Sequence, residues 1–350
     1  MTITGRKMTL EISNNRRNEI KQMVCDTLVM YGTPSLPLKI GNLIRNIKYI
    51  KLITYSSQIK KHRIPYEEMI LTAETKDSYA VRQGSTGKFC IYYNDIDKNI
   101  ATSNRVRWNL AHELGHVILN HHEIAGTEKL YRRGLDDESY YYFEEEADYF
   151  AQLILVPHAA LLGFRINSAK DIRTMCKISD PASKRRFYEF QIWKSHVNPE
   201  DEYDKRIFAY YYEFIFKKKC KICDAVIIQR RGKHCPICGF KNTLEWRDED
   251  DMKYPLLPTH ENQKLTECPK CKNEETEING NYCQICGTNL VNQCTNFACE
   301  SRILPSNARY CPICGEKSIF FANGILSAWR QPSDAFLSIP DGFDEELPFN

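Results

Sequence analysis

The sequence has 350 residues, of which 42% are hydrophobic, 27% charged and 11% aromatic. This length predicts two or three domains, and the composition excludes disordered, collagen-like and coiled-coil chains. The sequence holds no run of about 18 apolar residues, so we expect no membrane span. The N-terminal region has no apolar run of about 7–15 residues, so we expect no secretory signal and a cytoplasmic location. The formal net charge is only +3, which gives no support for nucleic acid as a partner of the whole chain.

Apolar patterns, capping residues and breakers predict the secondary structure of the first 216 residues. The first helix is expected to end at the turn Gly32-Thr33-Pro34, and the fourth at Pro157. Aromatic and β-branched runs favour strands. The predicted elements are helices over residues 11–31, 38–46, 103–119 and 141–156, with Ser103 as the cap of the third, and strands over residues 88–93 and 207–216.

Cysteine is the anomaly of the composition, because twelve of the 15 cysteines fall between Cys220 and Cys314. In a reducing compartment such crowding favours metal ligands over disulfides. Each of three units has two cysteine pairs separated by eleven residues and fits a tetrahedral four-thiolate zinc site, with iron–sulfur ligation as the alternative. The units are Cys220, Cys223, Cys235 and Cys238 (zinc 1), Cys268, Cys271, Cys283 and Cys286 (zinc 2), and Cys294, Cys299, Cys311 and Cys314 (zinc 3).

Residues 112–116 read His-Glu-Leu-Gly-His and predict a catalytic zinc site. His112 and His116 share one helix face and can hold one Zn²⁺. Glu113 is placed to act as general base on a water bound to that metal. The alternative is a pair of surface histidines. It is disfavoured because an apolar stripe on the opposite face anchors the helix in a core, namely Leu110, Leu114, Val117 and Ile118.

A catalytic zinc requires a third protein ligand and one open position. A second helical segment supplies Glu144 as the candidate ligand, and Asp148 one turn later can accept the free N–H of a ligating histidine. Glu146 is the alternative ligand if the helix is rotated. A solvated acidic cap at a helix N-terminus is the other interpretation of these glutamates, and for Glu145 we favour it.

The oxyanion-stabilising group is not fixed by the sequence. His121 and His122 follow the first histidine helix, and we expect both to face solvent. The strand over residues 88–94 is either an edge strand that pairs with substrate backbone or a buried strand. Candidates for the oxyanion donor are Tyr131, Tyr140, Tyr141, Tyr142 and His158.

Two segments resemble the ImmA/IrrE family of zinc metallo-endopeptidases. Residues 107–119 contain the His-Glu-Leu-Gly-His motif, and residues 144–157 read Glu-x-x-Ala-Asp-x-Phe-Ala and end at a proline. The resemblance covers residues 20–165. Asp148 stands where the family more commonly has Asn, no helix-turn-helix is recognisable, and the cysteine-rich part lies outside the resemblance.

The resemblance implies a zincin fold, a set of site residues and a class of substrate. It implies His112, His116 and Glu144 as zinc ligands and Glu113 as catalytic base. The implied substrates are DNA-binding transcriptional repressors. Because the cysteine-rich part is not covered, the identity of the substrate does not follow from the resemblance.

We therefore predict an α+β protein with a minimal zincin/gluzincin-like protease domain, followed by three small four-cysteine zinc-ribbon units. The predicted cofactors are one catalytic and three structural zinc ions. Only seven residues separate the second unit from the third, so these two are expected to pack as a pair. The predicted bounds are 1–200 for the peptidase domain, 201–247 for the first ribbon, 248–265 for a linker, 266–330 for the paired ribbons and 331–350 for an acidic tail.

The leading hypothesis is an intracellular zinc endopeptidase that cleaves a regulatory protein such as a DNA-binding repressor, with the ribbons recruiting the substrate or another partner. Residues 217–247 carry nine Lys and Arg against two Asp and Glu, with Phe240 and Trp246 among them, which indicates a candidate nucleic-acid surface. The alternative is therefore a nucleic-acid-binding regulator with a vestigial peptidase domain, and a protein-binding adaptor is the third hypothesis. The complete set of two histidines and two glutamates favours the peptidase.

Overall fold

The structure is a computed structural model that describes residues 11–97, 104–130, 136–247 and 254–329. The chain divides into two compact units between Ile215 and Phe216. The boundary predicted at residue 200 precedes this division, so the structure assigns one further helix to the first unit. The predicted tail over 331–350 and the cap at Ser103 lie outside the described residues. In the described ranges, no helix is both long and apolar enough to cross a bilayer.

The first unit combines helices with one small sheet. Its strands are β1 (Ile50–Thr54), β2 (Ser78–Arg82) and β3 (Phe89–Tyr93). Its helices in the described ranges are α1 (Asn14–Tyr31), α2 (Ile40–Asn46), α3 (Tyr55–His62), α4 (Tyr66–Ala73), α5 (Asn104–Ile118), α6 (His121–Ile124), α7 (Asp137–Leu155), α8 (His158–Leu161), α9 (Ala169–Cys176), α10 (Asp180–Ser195) and α11 (Glu202–Phe216).

Side-chain caps set the first residues of the two longest helices. Helix α1 begins after Ser13, whose hydroxyl oxygen accepts the backbone N–H of Arg16. Helix α7 begins after Asp136, whose carboxylate accepts the backbone N–H of Ser139 at 2.8 Å. Each helix therefore starts a few residues away from its predicted first residue, where a polar side chain satisfies a free N–H group.

Strand β3 is the central strand of the first sheet. It pairs in parallel with β1 and antiparallel with β2, so that Ile91 lies opposite Leu52 on one side and Ala80 on the other. Because β3 has a partner on both sides, the structure selects the buried alternative for this strand. Strand β2, which the sequence pattern did not predict, is an edge strand of the sheet.

Helices α5 and α7 pack against each other through apolar residues that the sequence pattern anticipated. Leu110 and Leu114 on α5 are buried, as are Ala147, Phe150 and Ile154 on α7. Burying each large apolar side chain contributes about 1.5–3 kcal/mol. The contact holds the histidine motif of α5 beside the glutamates of α7.

The predicted strand over residues 207–216 is wrong, because these residues belong to helix α11. The buried residues of α11 recur every three or four positions along the helix. They are Tyr203, Ile207, Tyr211, Phe214 and Ile215. This spacing places them on one helix face that packs in the first unit. The packing of that face overrides the β preference of the aromatic side chains.

The second unit contains a small antiparallel sheet and three cysteine groups. Strand β4 (Lys217–Cys220) lies between β5 (Val226–Ile228) and β6 (Leu244–Trp246), and the short helix α12 (Ile319–Ala322) follows the last cysteine pair. Cysteines form much of the buried surface. Cys220, Cys223 and Cys235 pack with Ala225 and Ile237. The apolar cores are therefore small, as expected for units of this length.

The first and third cysteine units are joined by reciprocal backbone hydrogen bonds. The carbonyl oxygen of Pro312 accepts the N–H groups of Lys233 and His234 at 2.9 and 3.1 Å. The carbonyl oxygen of Pro236 accepts those of Arg309 and Tyr310 at 2.7 and 3.0 Å. Both prolines lie between the two cysteines of a Cys-Pro-Ile-Cys turn.

The segment between the second and third units is hydrogen-bonded to the third. Asn292 donates from its side-chain amide to the carbonyl oxygens of Pro305 and Ala308, each at 2.8 Å. The third unit is thus hydrogen-bonded to the first and to the segment that follows the second. Sequence spacing gave no indication of the contact between the first and third units, and the pairing of the second unit with the third stays a prediction.

Candidate active site and metal-binding clusters

A cleft of about 1130 Å³ in the first unit is lined by residues of β2, α5 and α7. His112, Glu113 and His116 reach it from α5, and Glu144 and Asp148 reach it from α7. The i, i+4 spacing on each helix places these side chains on one face. All five residues singled out from the sequence for this site therefore line the same cleft.

His112, His116 and Glu144 bring three ligand atoms together. The Nε2 atoms of the two histidines lie 3.0 Å apart, and the two carboxylate oxygens of Glu144 lie 3.4 Å from one Nε2 each. Around a tetrahedral zinc with bonds of about 2.0–2.1 Å, ligand atoms are separated by about 3.3–3.4 Å. The three residues fit such a metal, and they form a candidate metal site.

Glu144 carries a negative charge that suits a metal ligand. Burial alone would raise the pKa of Glu144, but hydrogen bonds from His112 and His116 outweigh burial and hold it well below its usual range. Burial lowers the pKa of His116 to about 3, so this ring is neutral and keeps a lone pair for a metal.

Asp148 hydrogen-bonds to the other ring nitrogen of His112, with 2.8 Å between Oδ1 and Nδ1. Burial would lower the pKa of His112, whereas the hydrogen bonds to Asp148 and Glu144 raise it to about 10. A carboxylate that accepts the Nδ1 proton leaves Nε2 facing the cleft. Asp148 therefore lies where its spacing from Glu144 predicted it, beside a candidate histidine ligand.

Glu113 is held at the edge strand of the sheet. One carboxylate oxygen accepts the hydroxyl of Ser78 at 3.1 Å, and the backbone N–H of Ala80 also donates to the carboxylate. Burial raises the pKa of Glu113, although the charge of His112 and these hydrogen bonds oppose the shift. A carboxylate with a raised pKa beside the candidate metal ligands can take up and release a proton. Ser78 and Ala80 were not anticipated as partners of Glu113, because β2 was not predicted.

The structure brings Glu144, and not the alternative Glu146, to the two histidines. Glu146 points to the other side of α7, where both oxygens accept N–H groups of Arg16 at 2.7 and 2.8 Å. Glu145 between them is exposed, as expected for a solvated acidic cap.

The expectation that His121 and His122 face solvent is wrong, because both are buried. Asn120 adopts a left-handed conformation with φ 64°, which ends α5 and turns the chain back toward it. The Nδ1 atom of His121 then lies 2.9 Å from the Nδ1 atom of His116. The Nε2 atom of His122 lies 3.3 Å from the carbonyl oxygen of Ala80. An asparagine directly after an apolar helix was the available sequence signal, because asparagine tolerates this conformation.

Of the candidate oxyanion donors, Tyr140 lines the cleft. Tyr141 and Tyr142 do not line it, and His158 instead borders a separate cavity of about 510 Å³ in the first unit. Tyr131 lies outside the described residues. The structure therefore reduces the described candidates to Tyr140.

The twelve clustered cysteines form the three groups expected from their spacing. Paired Sγ atoms lie 3.7 Å apart in the first group, 3.5 Å in the second, and 3.5 and 3.6 Å in the third. Four thiolates around a tetrahedral zinc, with bonds of about 2.3 Å, lie about 3.8 Å apart. Each group thus fits a closed four-sulfur metal site. Cys25, Cys90 and Cys176, all in the first unit, are free buried thiols.

Some of the lysines of the first cysteine unit form ion pairs with acidic residues of the same unit. The ammonium of Lys219 lies 3.6 Å from Asp224, and Lys221 pairs with Glu245. Phe240 and Trp246 are 53% and 39% exposed, and so remain accessible to a partner. A nucleic-acid partner stays a prediction for this unit.

Comparison with known protein families matches residues 62–186 to the IrrE N-terminal-like domain, Peptidase_M78. None of the curated proteins compared matches the chain. The matched range includes the cleft residues from Ser78 to Asp148, and all three cysteine groups follow it. The first unit therefore carries the IrrE N-terminal-like domain of a Peptidase_M78 family metallopeptidase.

Proposed function

We propose that the protein is a zinc-dependent endopeptidase whose catalytic zinc is held by His112, His116 and Glu144, with Glu113 as general base. The observation that carries this proposal is the meeting of three side chains at the cleft, where the two Nε2 atoms lie 3.0 Å apart and each lies 3.4 Å from one carboxylate oxygen of Glu144. Three protein ligands leave a fourth position for water or substrate, as catalytic zinc sites do.

The metal and the protein side chains have different roles in peptide hydrolysis. Zinc, when bound, lowers the pKa of water and polarises the scissile carbonyl. Glu113 takes a proton from the attacking water and delivers it to the leaving amine nitrogen. The hydrogen bonds from Ser78 and Ala80 hold the carboxylate in place for both transfers. Tyr140 borders the cleft and is the candidate donor to the oxyanion.

The three cysteine groups hold structural zinc in this proposal. Four sulfur ligands would complete a tetrahedral shell around each zinc, so no position would be left for substrate chemistry. Because each unit buries little apolar surface, zinc binding supplies much of its folding free energy. We assign the ribbons to recognition of a protein substrate or partner, since the groups named for catalysis all lie in the first unit.

A DNA-binding repressor is the substrate class that the resemblance to the ImmA/IrrE family supports. The alternative is a nucleic-acid-binding regulator with an inactive peptidase domain. This alternative is supported by the exposed aromatic residues Phe240 and Trp246, which lie among the lysines and arginines of the first ribbon. The retention of all three candidate ligands together with Glu113 favours the peptidase.

The test compares wild type with Glu113→Gln, each co-expressed with candidate repressors encoded beside it. Wild type should cleave its substrate, and Glu113→Gln should keep the zinc and lose about 10²–10⁴-fold in rate, because the proton acceptor is removed. Glu145→Gln, which changes an exposed glutamate of α7, is the matched control. Equal cleavage by wild type and Glu113→Gln would contradict the proposal.

A further inference from the structure

A line of hydrogen-bonded side chains extends from His116 away from the cleft. The Nδ1 of His116 lies 2.9 Å from the Nδ1 of His121, and the Nε2 of His121 lies 2.9 Å from Oε2 of Glu146. The guanidinium of Arg16 then donates two hydrogen bonds to Glu146, at 2.7 and 2.8 Å. These residues come from α1, α5, α6 and α7.

The inner members of this line are shielded from solvent. His121 is fully buried, and Glu146 and His116 are only 1% and 4% exposed. The ring of Phe143 stacks on His121 at 4.5 Å between centroids. Buried polar groups must find protein partners because water does not reach them. The protons in this line are therefore placed by neighbouring side chains.

The direction of each hydrogen bond follows from the charged end of the line. Glu146 accepts two N–H groups of Arg16, as an ionised carboxylate does. The only proton that can lie between His121 and Glu146 is then on Nε2 of His121. In a neutral ring this leaves the Nδ1 of His121 as an acceptor.

This acceptor determines the tautomer of His116. A hydrogen bond between two Nδ1 atoms needs one proton, so the Nδ1 of His116 must carry it. Its Nε2 then keeps a lone pair, and this atom faces His112 and Glu144 at 3.0 and 3.4 Å. On His112 the Nδ1 atom likewise has a side-chain partner, the carboxylate of Asp148 at 2.8 Å.

We propose that Arg16, Glu146 and His121, which we call the supporting network, are positioning residues that fix the tautomer and orientation of His116 for metal binding. The proposal rests on the proposed zinc site. Among the described residues, Arg16 is the arginine or lysine that pairs with the buried Glu146, so without it the proton on His121 is no longer held at Nε2. If that proton moves to Nδ1, two N–H groups oppose each other. His116 must then place its own proton on Nε2, which removes the lone pair for the metal.

Arg16 lies far in the sequence from the other members of the network. It lies on α1, outside residues 62–186 that match the metallopeptidase domain, and 130 positions from Glu146. Glu19, one turn later on α1, also contacts Arg16 at 2.9 Å and keeps its guanidinium in place. The N-terminal helix therefore contributes to the metal site although it supplies none of the ligands.

Two matched pairs of variants of the zinc-loaded full-length protein test the proposal. Arg16→Gln and Glu146→Gln remove members of the network. Arg17→Gln and Glu145→Gln change the adjacent residues. Within the described part of the chain, the Arg17 side chain contacts the Ile12 carbonyl and the Tyr149 ring, and Glu145 is exposed. Competition with a zinc chelator measures the affinity of the most labile zinc. We expect a loss of about tenfold or more in the network variants and less than about twofold in the controls.

Two internal comparisons separate positioning from general destabilisation. The zinc ions of the cysteine groups should keep their affinity in the network variants. The double variant of Arg16 and Glu146 should lose no more affinity than the worse single variant, because both act through one line of contacts. Additive losses, or an equal loss of zinc from the cysteine groups, would overturn the proposal.

Nitrogen NMR of the histidine rings in wild type gives a readout independent of the variants. His121 should carry its proton on Nε2 and His116 on Nδ1. A proton on Nδ1 of His121 would overturn the proposal even if the network variants fail to fold. His112→Ala separates this from the proposed function. If His112→Ala releases no zinc, the catalytic site is wrong. If it releases one zinc while the network variants match their controls, only the supporting role is wrong.

Discussion

Gly115 on α5 lies against Ala147 on α7 so closely that a Cβ atom on Gly115 would stand 3.1 Å from the Cα of Ala147. The same atom would stand 3.2 Å from the Ala147 carbonyl oxygen. Backbone atoms cannot rotate away as a flexible side chain can. The glycine of the His-Glu-Leu-Gly-His motif therefore sets the spacing between the helix that carries both histidines and the helix that carries Glu144.

Replacing this glycine should separate the two helices. We expect Gly115→Ala to destabilise the protein by about 1–3 kcal/mol, as overpacking does, and to weaken zinc binding in the cleft. Gly41→Ala is the matched control, because Gly41 is also helical and its Cβ would meet only the flexible end of Arg45 at 3.5 Å. Chemical denaturation and chelator competition measure both effects. Equal stability of the two variants would contradict the close-contact argument.

The metal content should reflect four separate sites. We expect about four zinc ions per chain, one in the cleft and three in the cysteine groups. The cleft zinc should leave first under mild chelation, because it has three protein ligands and the others have four thiolates. Elemental analysis before and after chelation checks both numbers. A content near three that His112→Ala does not change would remove the basis for a cleft zinc.

His158 should make stability depend on pH. Burial lowers the pKa of His158 to about 2 from a reference value of 6.5, and Arg186 adds to the shift. The unfolded chain therefore binds a proton below pH 6.5 that the folded protein does not, so stability falls as the pH falls through this range. Between pH 6.5 and 5.5 this residue should cost at most about 1 kcal/mol.

The matching experiment compares His158→Phe with wild type. The centroids of the Phe190 and Trp193 rings each lie 5.7 Å from the centroid of the His158 ring. A phenylalanine at this position should keep contact with both rings. Urea unfolding at pH 7.5, 6.5 and 5.5 should show a smaller loss of stability in this variant, whereas replacement of the exposed His62 should leave the loss as in wild type. If the free energy of unfolding falls equally with pH in wild type and in His158→Phe, the low pKa assigned to His158 is wrong.

The reciprocal contact between the first and third cysteine units should depend on Gly232. A Cβ on this residue would stand 2.3 Å from the carbonyl oxygen of Pro312, which accepts two hydrogen bonds. Gly280 has a similar positive φ, 86° against 105°, but its Cβ would meet nothing within 4 Å. We expect Gly232→Ala to cost about 1–3 kcal/mol more than Gly280→Ala.

Thermal unfolding of the two zinc-loaded glycine variants measures this difference. Backbone strain is similar in both, so a larger loss for Gly232→Ala reports the clash with Pro312. If both variants unfold at the same temperature, the hydrogen bonds to Pro312 contribute little to the stability of the second unit.

Local spacing was enough to predict the candidate metal-binding groups. Residues four positions apart lie on one helix face, so His112 and His116 were identified without knowledge of the fold. Short loops between cysteines likewise restrict which thiolates can meet, so the three groups follow from their repeated spacing. The motifs also carried the resemblance to the metallopeptidase family, which the match over residues 62–186 confirms.

Contacts between distant segments were decided only by the tertiary structure. The aromatic run of α11 was predicted as a strand, because propensity does not report the face that packing will bury. His121 and His122 were placed in solvent, because the turn at Asn120 was not recognised. The choice between Glu144 and Glu146 depended on the rotation of α7, and the partner of Glu146 is Arg16 on the first helix. Periodicity describes one element at a time, whereas these positions depend on how elements far apart in the sequence pack together.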